Sequence, residues 1–75
     1  MSAIERAVEI VGSQMQLAET LGVTKGQVNN WVHGREKVTL LRCAAIEEAT
    51  QGRVRREELR PDINWDALTP RKRGR

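Results

Sequence analysis

Gln14, Ala18, Gly22, Val28 and Trp31 fall at the offsets that one short motif demands, inside the uninterrupted stretch QMQLAETLGVTKGQVNNW (residues 14–31). The spacing predicts a short helix, a glycine turn and a second short helix. Ala18 is small where the two helices would cross. Gly22 stands where the chain must take positive φ, which glycine does without a steric penalty. Val28 and Trp31 face back toward a core. A helix-turn-helix of this kind presents its second helix to the major groove of DNA. The expectation is a chain that binds DNA and catalyses nothing.

Length and composition bear on what such a motif can rest on. Seventy-five residues make one small domain, and cores of this size are marginal unless supported, often by pairing with a second copy. Phe and Tyr are absent and there are two Trp, so the core must be mostly Val, Leu, Ile and Ala. The lone cysteine, Cys43, excludes an internal disulfide and a cysteine-based zinc site. Its helical, apolar flanks mark it as a small buried hydrophobe, and a single free thiol without a disulfide suits the cytosol. The first residues lack a charged leader followed by an apolar run, so no signal peptide is expected. No apolar stretch reaches the length of a membrane span.

The net charge of +3 hides its own distribution. Residues 1–22 sum to −2, residues 23–46 to +3, residues 47–68 to −2 and the last seven residues to +4. Positive charge is thus concentrated on the second helix of the motif with its following loop, and on the C-terminal stretch. A focused patch attracts phosphate even on a nearly neutral chain.

Three helix starts carry the same signal. Ser2 with Glu5, Ser13 with Gln16, and Thr24 with Gln27 have capping-box spacing. Helices are expected at about 3–11, 14–21 and 25–33, with Gly12 and Gly22 as stops. Ile4, Ala7, Val8 and Val11 share one face of the first; Leu17, Ala18 and Leu21 turn inward in the second. Val23 and Val28 have the spacing of a hydrophobic staple around Thr24. Thr39 can cap a fourth helix over 40–51, burying Leu40, Cys43, Ala44, Ile46 and Ala49 and ending at Gly52. A short fifth helix is expected around 55–59, stopped before Pro61. Residues 62–68 have no clear period, and 69–75 (TPRKRGR) read as a basic, disordered tail beyond a domain of residues 1–68. No strand alternation and no repeat appears.

On a helical projection, Val28, Trp31 and Val32 cluster on the core side of the second motif helix. Gly26, Asn29, Asn30 and His33 lie opposite, flanked by Lys25 and Gln27. Asn suits a bidentate pair with adenine, and Lys donates to guanine or to phosphate. Lys25, Gly26, Asn29 and Asn30 are therefore the expected base-facing residues. Two adjacent Asn are poor helix formers, which a merely solvated face would not favour. Gly26 fits either close approach to DNA or simple tolerance in a first turn. His33 either reaches a phosphate or ends the helix. Gln14 begins a helix whose free N-terminal amides point at the DNA backbone in this motif. Thr24, Gln27, Arg35 and Lys37 complete the expected phosphate contacts; the alternative for Arg35 and Lys37 is a solvated loop. Trp31 belongs to the core and stacks on no base. One His, one Cys and no Tyr leave no nucleophile and no metal cluster to propose, and no cofactor is expected. Glu47–Glu48 and Glu57–Glu58 stand among arginines and read as surface ion pairs.

A second stretch is more specific. Arg42-Cys43, Ile46-Glu47, Thr50-Gln51-Gly52 and Glu58-Leu59-Arg60-Pro61-Asp62, after the motif of residues 14–33, resemble the Cro repressors of lambdoid phages, in particular the all-helical branch and its YdaS-type prophage relatives, read as antitoxins. The resemblance covers residues 3–65. It implies an all-α, five-helix, lambda-repressor-like domain that binds a palindromic double-stranded DNA operator, commonly as a homodimer that is weak without DNA, and represses transcription. It also implies phosphate contacts from Gln14 and Thr24 and base contacts from Lys25, Gly26, Asn29 and Asn30. Relatives often carry a proline just before the fourth helix, where this chain has Val38-Thr39. Arg60 and Asp62 are expected to tie the C-terminal turn back onto the fourth helix.

The competing function is an antitoxin that neutralises a toxin protein and autoregulates its operon. Its candidate surface is Ile63, Trp65 and Leu68, if these are exposed; Trp65 packed back on the domain would remove it. The basic tail is either an arm along the DNA or a solubilising end.

Overall fold

Each of the four longer helices begins at a hydroxyl. In a computed structural model describing residues 2–68, α1 (Ala3–Val11) follows Ser2, α2 (Gln14–Leu21) follows Ser13, α3 (Lys25–Val32) follows Thr24 and α4 (Leu40–Ala49) follows Thr39; each hydroxyl accepts the backbone N–H three residues on. One of the three expected capping boxes is reciprocal: Ser2 N–H also donates to Glu5 Oε1 at 2.9 Å. Gln16 instead accepts from the Ser13 hydroxyl at 3.4 Å, and Gln27 turns away to another partner. Two four-residue helices complete the fold, α5 (Arg56–Leu59) and α6 (Trp65–Leu68). Among the described residues the architecture is all-helical, with six helices where five were expected. The expected basic tail of residues 69–75 lies outside the described residues.

The motif turn is set by backbone geometry. Gly22 has φ 75° and ψ 30°, the left-handed region. Its N–H donates to Glu19 O and the Val23 N–H to Ala18 O at 3.0 Å, the paired bonds of a Schellman stop. A side chain at Gly22 would meet nothing within 4 Å among the described residues, so it is φ and not space that selects glycine. Arg42 Nη1 donates to Leu21 O at 3.2 Å, holding α4 to the end of α2.

The core is Ile4 and Ala7 of α1, Leu17, Ala18 and Leu21 of α2, Val28 and Trp31 of α3, Cys43 and Ile46 of α4, with Val38, Val54 and Trp65. α2 packs on α1, α3 and α4. Leu40, expected inside, is 45 % exposed, and its neighbour Leu41 is 72 % exposed. Cys43 is fully buried and burial pushes its thiol up to about 11, which fits the small-hydrophobe reading.

α4 stops two residues earlier than periodicity indicated. Gln51 takes φ 56°, which ends the helix before Gly52 is reached. Thr50, 1 % exposed, turns its hydroxyl into the core: Oγ1 accepts the Val54 N–H at 3.1 Å and donates toward Ile46 O at 3.0 Å and Glu47 O at 3.1 Å. One hydroxyl therefore closes α4 and fixes the loop that buries Val54.

The C-terminal segment is anchored differently from expectation. Arg60 binds Asp62 through two nitrogens, at 3.0 and 2.9 Å, and donates from Nη1 to Val38 O at 2.9 Å. The tie runs to the loop after α3 and not to α4 itself. The Arg60 guanidinium holds the Asp62 carboxyl down at about 2. Trp65, 6 % exposed, donates from Nε1 to Arg60 O at 3.0 Å, and Arg56 lies 5.8 Å over its ring. Arg56 also binds Glu47 of α4 at 3.0 Å, and Arg6 of α1 pairs with Glu58 of α5.

Candidate nucleic-acid interface

α3 is held by what it buries. Val28 is fully buried and Trp31 is 4 % exposed. Val32 packs against the same core, and the opposite side of the helix faces out by its 3.6-residue period. Lys25, Gly26 and Thr24 are exposed at its N-terminal end, Asn29 and Asn30 are half-buried, and His33 is exposed at its C-terminal end. The base-facing residues expected from the sequence therefore lie together on one surface. Trp31 is in the core, as expected.

The expected phosphate contacts divide. Thr24 keeps its hydroxyl proton, because its oxygen accepts the Gln27 N–H at 3.1 Å. Arg35 is exposed. His33 Nδ1 donates to Asn29 O at 2.9 Å, so one ring nitrogen serves the end of α3 and Nε2 remains. Lys37 is mostly exposed, with Nζ 3.9 Å from Asp62. Gln14 is half-buried and borders a shallow groove it shares with Glu5 and Glu9. Gln27 Nε2 donates to Glu36 Oε2 at 3.1 Å, and Asn30 Nδ2 lies 3.5 Å from Glu36 Oε1. Glu36 belongs to this surface although the sequence marked it merely as one negative charge. An acid inside the most basic part of the body was the available signal.

Gly26 decides between its two readings by experiment. A Cβ there would meet Thr24 Oγ1 at 3.8 Å, an ordinary contact. The protein's own packing does not require glycine. Gly26→Ala should raise stability by up to about 1 kcal/mol in urea unfolding. It should weaken DNA binding in the same preparation, if backbone and DNA approach closely. Unchanged binding by the stabilised variant would assign Gly26 to tolerance alone.

Among the described residues no helix is long and apolar enough to cross a membrane, and no group of three His, Cys, Asp or Glu could hold a metal ion. Fold and surface together are those of a helix-turn-helix regulator of the DNA-binding class. A family described as bacterial toxin YdaS matches residues 4–68. The chain is 46 % identical over 66 residues to the "Putative transcriptional regulator YdaS" of Escherichia coli (strain K12), covering 88 % of this chain and 67 % of that one. It is 29 % identical over 58 residues to the regulatory protein Cro of Pseudomonas phage D3, covering 77 % and 80 % of the two chains. The structure of the Cro protein from a prophage element, Xfaso 1, of Xylella fastidiosa strain Ann-1 matches with a TM-score of 0.77 and 43 % identity, over 84 % of this chain and 95 % of that one. The chain belongs to the YdaS family of Cro-like prophage regulators.

Proposed function

We propose that the protein is a sequence-specific transcriptional repressor of the Cro type, without catalytic activity, that sets α3 in the major groove of a palindromic operator. The observation that carries this reading is the division of α3: Val28 and Trp31 are buried, while Lys25, Gly26, Asn29 and Asn30 share the open surface. The names of its relatives, regulator and Cro, support it. Lys25, Asn29 and Asn30 read base edges; Thr24, Arg35 and Lys37 reach phosphates and set the register. Two copies bind, with recognition helices about 34 Å apart on successive grooves. Among the described residues the exposed large hydrophobics are Ile10, Met15, Leu40 and Leu41, and the adjacent pair Leu40 and Leu41 is the one assigned to a second copy.

Selection of duplexes from a random DNA pool tests the reading. The wild-type protein should enrich a motif with two inverted half-sites. Asn30→Ala should then weaken binding to the selected duplex by about 5- to 100-fold, the worth of one side-chain–base contact, with little change on scrambled DNA. Equal loss on both duplexes would exclude base readout by Asn30, and a single half-site would exclude the paired arrangement.

The antitoxin reading keeps its place through the family's description as a toxin. Of its candidate surface, the Leu68 side chain lies outside the described residues and the other two residues are not exposed. Trp65 is 6 % exposed and Ile63 is packed against the core.

A further inference from the structure

An acid in a phosphate-facing segment opposes binding, because DNA affinity rests on neutralising phosphates. Glu36 is the single acidic residue among Lys25, Arg35, Lys37 and Arg42 in the stretch 23–46. It is half-buried, not splayed into solvent. The chain leaves α3 through Gly34, whose φ is 73°. Arg35 N–H donates back to Asn30 O at 2.9 Å and Gly34 N–H to Trp31 O at 3.2 Å. These bonds turn the loop beside α3 and bring the Glu36 carboxylate against two side chains of that helix. Oε2 accepts from Gln27 Nε2 at 3.1 Å and Oε1 lies 3.5 Å from Asn30 Nδ2. Gln27 and Asn30 are three residues apart and so share one face.

Chemistry fixes the direction of both contacts. A carboxylate accepts and cannot donate, so each amide must turn its nitrogen toward Glu36. An amide nitrogen carries two protons, so each amide keeps its carbonyl oxygen and one further N–H. Those are the atoms that a bidentate contact with adenine uses. Side chains held before binding lose less rotamer freedom when DNA arrives.

We infer that Glu36 is a positioning residue for base readout: it sets the amide planes of Gln27 and Asn30, and its charge suppresses sequence-independent binding. The inference rests on the DNA-reading role proposed above. It assigns Gln27 to bracing and base readout, since the carboxylate at its amide repels a phosphate there. Glu36 thus lowers raw affinity and raises discrimination.

The test measures binding to the selected duplex and to a scrambled one across a sodium chloride series. The proteins are wild type, Glu36→Ala, Glu36→Gln, Asn30→Ala, the double variant Gln27→Ala with Asn30→Ala, and that double variant with Glu36→Ala added. Glu36→Ala should bind scrambled DNA more tightly than wild type. Its ratio of selected to scrambled affinity should fall by about five- to tenfold, part of one side-chain–base contact. Glu36→Gln should share the gain on scrambled DNA, since the charge is gone, and keep part of the discrimination, since one oxygen still accepts. In the background lacking both amides, Glu36→Ala should leave the ratio unchanged. A normal ratio in Glu36→Ala, or an undiminished loss in that background, overturns the positioning role while DNA reading stands. A wild-type protein that selects no motif overturns both.

Discussion

Trp31→Ala should cost about 3–5 kcal/mol of folding stability, as for other buried large aromatics. Trp31 is 4 % exposed and sits in the core with Val28, Leu17 and Ile46. Its Nε1 has no hydrogen-bond partner among the described residues, so its contribution is packing. Small domains have total stabilities of about 5–15 kcal/mol, and this loss consumes a large share of that. Urea unfolding followed by circular dichroism measures it, and Trp65, the other tryptophan, remains as a fluorescent reporter. DNA binding should disappear with the fold and return when an osmolyte restores the helix content, because the indole is buried in the core. Lost binding at full stability would instead place Trp31 on the DNA.

Thr50→Val should cost about 1–3 kcal/mol, the penalty of leaving a buried donor unpaired. Valine nearly matches threonine in shape, so little of the loss is cavity. What disappears is the hydroxyl that accepts the Val54 N–H at 3.1 Å in a site where Thr50 is 1 % and Val54 0 % exposed. Thr50→Ser keeps that hydroxyl and should be the milder of the two. Each kcal/mol corresponds to a fall of about 4–8 °C in melting temperature for a domain of this size. A valine variant that melts with the wild type would show that the hydroxyl does not hold the loop. At low temperature, where both variants are folded, DNA binding should be unchanged, because Thr50 lies at the far end of α4 from the helix-turn-helix.

The starts of α1 to α4 were legible because each depends on a hydroxyl and the first turn that follows it. Interactions over three residues can be read in a line of text. The two-helix motif was legible for the same reason, since Gly22 and the spacing of Val28 and Trp31 act within a few turns. The end of α4 was not legible. Periodicity continues through Thr50 and Gln51, and nothing local says that the Thr50 hydroxyl will face Val54. α6 was missed because four residues are too few to show a period. Val38 and Val54 are fully or nearly buried in loops, where no repeat announces burial. At the candidate interface, angular position placed Lys25, Gly26, Asn29 and Asn30 on one surface, but not what their side chains touch.

The amino-acid order alone therefore determined the helix-turn-helix, its polar outer face, and the concentration of charge around it. Caps, helical period and a glycine turn are short-range, and they act whatever the remainder of the chain does. Tertiary structure decided three matters. It sealed Trp65 under Arg56 and Arg60, tied Arg60 across 22 residues to Val38 O, and brought Glu36 onto the amides of Gln27 and Asn30. Each depends on where a loop returns in space, set by the packing of Trp31, Val38 and Val54 in a common core. Gln14, Ala18, Gly22, Val28 and Trp31 define which helix turns its polar face outward; the returning loop brings Glu36 onto the side chains of that face.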